Sequence, residues 1–155
     1  QYHKCLEIQI KVYGGEHPDV AASYNNVGEV YRQQGKYEEA LVQYTKSLDI
    51  RIRVLGHEHL SVAKSYNNMG LIYDSQGKYE EALVQYTKSL DIRIKVYGGD
   101  HRDVAISKFN LAGVLAKMGK PQDSKTMYAE AAAIFLGVLG PEHPHTQMAQ
   151  RNAAQ

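Results

Sequence analysis

His17, His59, His101 and His143 stand 42 residues apart, and His57 and His145 add two His-x-His pairs. A metal site needs its ligand nitrogens about 2.0–2.1 Å from one ion. Packed helices lie roughly 8–10 Å apart, so ligands contributed one per structural unit cannot converge. The histidines are therefore read as caps or packing groups of linkers. Cys5 has no general base at motif spacing and reads as a small packing residue. Glu38-Glu39 and Glu80-Glu81 are adjacent carboxylates. On a helix they point about 100° apart and share no pocket, whereas in a first turn they suit the helix dipole. Gly14-Gly15 and Gly98-Gly99 precede neither G-x-G-x-x-G nor G-K-[ST], so they stop helices and hold no phosphate. No catalytic residue, metal or cofactor is expected, and the chain is not read as an enzyme.

Asparagine is the other periodic polar residue. Asn26, Asn68, Asn110 and Asn152 recur through the chain, with Asn25 and Asn67 beside the first two. A side-chain amide carries both donor and acceptor, which matches a peptide unit whatever its side chain. The same chemistry also suits bonds between neighbouring helices that fix their spacing. Both roles stay open at the level of sequence.

The elements that carry these residues come from a repeat. Residues 14–55 shifted by 42 land on 56–97 with about three quarters of the residues identical. A looser copy covers 98–139, a further one begins at 140 and ends at 155, and 1–13 match the end of a preceding copy. The reading is one array, part of a longer chain or larger complex, because solenoids need polar end caps and neither end supplies one.

Each copy reads as two helices. Pro18 suits a first helical position, and Val20, Tyr24, Val27, Gly28 and Tyr31 make one buried stripe to about Gln34. Gly35 stops that helix. From Lys36 to about Leu55 a second stripe follows: Tyr37, Ala40, Leu41, Tyr44, Leu48, Ile52 and Leu55. Small residues Gly28, Ala40 and Ser47 allow close approach of the two. The third copy departs, with Ala112 for the glycine, Leu115 for a tyrosine, Pro121 for another tyrosine and Ser124 for an alanine.

Tyr24-x-x-Val27-Gly28-x-x-Tyr31 followed by Ala40-x-x-x-Tyr44-x-x-Ser47 resembles the tetratricopeptide signature. The 42-residue period, the Leu-Asp-Ile-Arg helix end and the linkers Gly14-Gly15-Glu16-His17-Pro18 and Gly140-Pro141-Glu142-His143-Pro144 resemble its kinesin light chain class. The resemblance implies an all-α, right-handed superhelical solenoid of antiparallel helix hairpins. It also implies that first helices line a concave groove, where Asn26, Asn68, Asn110 and Asn152 bond the backbone of an extended peptide. By helical spacing Glu29, Lys64, Leu71, Phe109 and Lys117 fall beside them. Leu71 and Phe109, on consecutive first helices, are expected to floor one apolar pocket.

Composition bounds the partner. Apolar residues are 43% and charged residues 23%, values of an ordered chain rather than a disordered tail. Net charge is +1, from 18 basic and 17 acidic residues. No basic stripe stands out, so nucleic acid is not an expected partner. No apolar run approaches the roughly 18 residues of a membrane helix, so no membrane partner is expected either. One cysteine and no leader-like start point to a cytoplasmic setting. The expected role is a scaffold or adaptor for a protein or peptide ligand, with an assembly spacer using convex faces and ends as the alternative.

Overall fold

The computed structural model describes the backbone of residues 2–155 and the side chains of 8–155. Eight helices and no strands occur among them: α1 (Tyr2–Tyr13), α2 (Pro18–Gln33), α3 (Tyr37–Leu55), α4 (Leu60–Ser75), α5 (Tyr79–Tyr97), α6 (Arg102–Lys117), α7 (Pro121–Leu139) and α8 (Pro144–Ala154). Cys5 lies on α1, its side chain outside those described. The solenoid is built from the hairpins α2–α3, α4–α5 and α6–α7, with sequence neighbours packed on one another.

The histidine series starts the first helices. Each imidazole Nδ1 accepts the backbone N–H two residues on: Asp19 at 3.2 Å, Ser61 at 3.1 Å, Asp103 at 3.1 Å and His145 at 3.2 Å. The histidine backbone is extended at each site, so these are N-caps satisfying an orphan donor. The first helices of the three hairpins end alike. At φ +72°, Gly35 turns the chain where a Cβ would be strained. Lys36 N–H then reaches back to Tyr31 O at 2.9 Å, closing the cap.

Within a hairpin the helices touch at small residues. A Cβ on Gly28 would stand 2.8 Å from the Tyr44 ring, and one on Gly70 would stand 2.7 Å from Tyr86. Both tyrosines are fully buried. Ser47 Oγ donates to Ala21 O at 2.7 Å. The pairs 28 with 44 and 21 with 47 run in opposite senses, which defines the antiparallel register.

Between hairpins the junction is polar at first and then apolar. Ser23 Oγ donates to Gln9 Oε1. Arg51 Nη1 donates to Ser61 O at 3.0 Å and Ser65 Oγ at 2.7 Å. Arg93 Nη1 repeats this toward Asp103 O and Ser107 Oγ. Burial pushes both guanidinium groups below their ordinary pKa. One period later Phe135 and Ala149 occupy these two places. Both are buried, in a cluster with Ala105, Ala131 and Ala132. Charge and acceptor are lost together, so neither is left unpaired.

Candidate functional site

The asparagines come from the middle turns of the first helices. Asn26 is exposed on α2, whereas Asn25 beside it is buried. Asn68 Nδ2 donates to Asn25 Oδ1 at 3.0 Å, and Asn110 Nδ2 donates to Asn67 Oδ1 at 3.2 Å. The amides thus form rungs between consecutive first helices. Each rung uses one N–H of its donor and leaves that donor's carbonyl oxygen outside the bond. The third rung would need an acceptor at 109, where Phe109 has none, so Asn152 stands half-buried without that bond.

Around the rungs the charged residues pair with one another. Glu29 accepts from Arg32 Nε at 2.9 Å, from Gln33 Nε2 at 3.0 Å and from the Tyr44 hydroxyl at 3.0 Å. The hydrogen bonds from Arg32, stronger than the opposing desolvation, hold the Glu29 carboxyl down at about 2. Burial, and then Glu29, push the Tyr44 hydroxyl well above its usual range. Lys117 Nζ bridges to both carboxylate oxygens of Asp74 at 2.7 Å. Lys117 is therefore neutralised within the array. Lys64 remains exposed. It borders a cleft of about 380 Å³ walled by Ser61, Asn67, Asn68 and Asp103 and backed by Arg93 and Tyr97.

Leu71 and Phe109 fall in different apolar clusters. Leu71 packs on the cluster of Ala82, Tyr86 and Leu90. Phe109 packs on that of Ala105 and Phe135 and meets Tyr128 edge to face at 5.0 Å. Both side chains are half-buried.

The third hairpin is rewired in coordinated steps. Ala112 fills the notch that Gly28 and Gly70 leave open, and Gly113 takes the place of Glu29 and Leu71. Tyr128 matches the buried Tyr44 and Tyr86, yet it is only half-buried. Its hydroxyl lies 3.5 Å from where a Gly113 Cβ would stand. The small residue has moved one position and the ring has followed. On the outer side, Lys46 over Tyr24 and Lys88 over Tyr66, at 5.4 and 5.3 Å, become an ion pair of Lys108 with Glu130.

Arg51 and Arg93 are the residues that sequence reasoning missed. The Leu-Asp-Ile-Arg segments were read only as helix ends. The usable signal was the serine 14 residues after each arginine. Among the described residues no group of three or more His, Cys, Asp or Glu is placed to hold a metal ion, and no helix is long and apolar enough to cross a membrane.

The tetratricopeptide repeat family model matches residues 1–52, 26–95 and 75–135. Comparison with curated proteins returns no match. Among solved structures, BtubC (BKLC) from P. vanneervenii superposes with a TM-score of 0.83 at 28% identity, over 92% of this chain. The chain spans 57% of that protein's length. A Podosopora anserina putative kinesin light chain with nearly identical TPR-like repeats gives 0.83 at 25% identity, over 99% of this chain and 72% of that one. The apo form of RapI gives 0.84 at 17% identity, over 98% of this chain and 53% of that one, a likeness of fold alone.

Proposed function

Because the chain belongs to the tetratricopeptide repeat family, whose arrays are protein-interaction scaffolds, we propose that it holds an extended protein segment along its first helices, in the concave groove. The carrying observation is where the two near-identical hairpins differ. Over the 16 residues of α2 and α4 they differ at eight places: 18, 19, 22, 27, 29, 30, 32 and 33 against 60, 61, 64, 69, 71, 72, 74 and 75. Over the 19 residues of α3 and α5 they differ at two, 53 and 55 against 95 and 97. Packing does not account for the contrast. Val42 and Val84 are 51% and 49% exposed, free to vary, and identical. Variation collects on the first helices, at Ala22 against Lys64, Glu29 against Leu71, Arg32 against Asp74 and Gln33 against Ser75. Constant asparagines with variable neighbours suit a backbone holder with side-chain preference.

The test is a peptide-array comparison of the wild type with a variant carrying Asn26→Ala, Asn68→Ala and Asn110→Ala. Loss of bound peptides by a variant that stays helical supports the reading. Equal binding by the folded variant removes it. The rungs Asn25–Asn68 and Asn67–Asn110 favour a second reading, an assembly spacer in which the amides set helix spacing. Crosslinks from the native assembly confined to the outer face of α3 and α5 would select that reading instead.

A further inference from the structure

We infer that the junction between the second and third hairpins holds a phosphate monoester, carried by a phosphorylated side chain of the bound segment. The inference rests on the groove reading above and adds to it the chemistry of one ligand position.

The site is the cleft of about 380 Å³ walled by α4, α5 and α6. It lies inside the array, with α2 and α3 before it and α7 and α8 beyond it. Its donors are largely unused. Lys64 meets neither an acceptor nor a carboxylate among the described residues. Arg93 bonds Asp103 O and Ser107 Oγ through Nη1 alone, which leaves the N–H groups of Nε and Nη2. Asn67 accepts at Oδ1 from Asn110, so its own amide N–H groups remain. The hydroxyls of Ser61 and Tyr97 complete the wall. The Tyr97 ring is fixed by stacking on His101, with centroids 3.8 Å apart.

No other junction assembles this set. One period earlier the arginine and asparagine are present as Arg51 and Asn25, but Asp19 stands for Ser61, Ala22 for Lys64 and Leu55 for Tyr97. One period later Phe135 and Phe109 replace the arginine and the asparagine. Three of the helix positions at which the first two hairpins differ therefore meet in one cleft, and they change in one sense. A carboxylate goes, an ammonium arrives and a hydroxyl arrives. Only Asp103, where the first junction has Ser61, runs the other way. It is the one acid of the wall against two cations. The cleft also adjoins the starts of α4 and α6, where helix dipoles favour an anion.

The donor set selects phosphate. A carboxylate has two oxygens, whereas a phosphate monoester brings three strong acceptors and close to two negative charges. The ammonium and guanidinium match that charge, and the amide and hydroxyls suit the remaining lone pairs. Asn68, on the same wall, belongs to the asparagine series. The phosphate thus hangs from a residue whose backbone that series holds.

The experiment probes a peptide array, random except for a fixed central serine, phosphoserine or glutamate, with the wild type, Lys64→Ala and Tyr97→Leu. Each variant places the first hairpin's own residue, Ala22 or Leu55. The wild type should bind phosphoserine peptides on the order of tenfold above both serine and glutamate peptides, and each variant should lose most of that margin. Equal signals for phosphoserine and glutamate overturn the inference, because acidity alone then suffices. Equal signals for phosphoserine and serine overturn it as well, and both results leave the groove reading standing. Absence of any bound peptide overturns the groove reading. Inorganic phosphate, followed by the amide resonances of Lys64 and Asn67, reads the site independently of the groove. Shifts that saturate in the wild type but not in Lys64→Ala support it, and their absence overturns it. Saturation by free phosphate without a preference among peptides overturns the assignment to the bound segment.

Discussion

Arg51 crosses from the second helix of one hairpin to the first helix of the next and donates to Ser65 Oγ at 2.7 Å. The arginine is 8% exposed and the serine 0%, so the bond sits where an unmade partner is costly. Ser65→Ala should destabilise the array by about 1–3 kcal/mol, because a buried guanidinium loses an acceptor. Transplanting the downstream solution, Arg51→Phe with Ser65→Ala, should recover most of that loss or exceed the wild type, as apolar replacement of buried charge often does. Urea unfolding of the three proteins checks this. A double variant weaker than Ser65→Ala would show that Phe135 and Ala149 need the rest of their own cluster.

Gly70 and Tyr86 give a second prediction. Gly70→Ala puts a methyl about where the ring now lies, 2.7 Å away, and should cost about 1–3 kcal/mol through overpacking. Adding Leu71→Gly should return part of the loss, since Ala112-Gly113 shows that the shifted pair suits a relocated tyrosine. Thermal melts of the single and double variants decide it. A double variant no better than the single would mean that the ring cannot leave its slot in this hairpin.

Glu29 supplies the pH prediction. Its folded pKa is about 2, against an ordinary 4.5. The unfolded chain therefore binds more protons between these values, and stability rises with pH there. The contribution is fully present above about pH 4.5 and disappears as pH falls toward 2. Glu29→Gln should flatten the wild-type decline in Tm across this window while changing little of the slope above it. The half-exposed position keeps the effect modest. Parallel slopes for the two proteins would remove Glu29 as its source.

Much of this was legible in the residues. Pro18, Gly35 and Gly56 placed the helix boundaries to within a residue or so, because caps and breakers act locally. The histidine series was correctly assigned to linkers, since its spacing alone forbade a shared ion. Bonds between neighbouring helices were open as one role of the asparagines, but the partners were not assigned. Asn68 meets Asn25 across 43 residues, and nothing in either helix's own pattern says which neighbouring face it will meet. Helical spacing places Leu71 and Phe109 on comparable faces, but the clusters they join, one with Tyr86 and the other with Phe135, depend on how the helices pack together. The relocation of Tyr128 was invisible because Ala112 and Gly113 are each unremarkable substitutions when read singly.

The junctions also determine how such a chain can change length. Arg51 finds Ser65, and Arg93 finds Ser107, at the same separation of 14 residues. The asparagine rungs likewise keep a separation of 43. A copying slip that adds or removes one whole unit of 42 residues between these two junctions restores every bond with its usual partner, so the product is born foldable. Downstream that interchange stops, for Phe135 has no use for a serine and Ala149 has nothing to offer an arginine. The gene can stutter in its first half and keep a working solenoid, while the third hairpin marks the point beyond which units are no longer spare parts for one another.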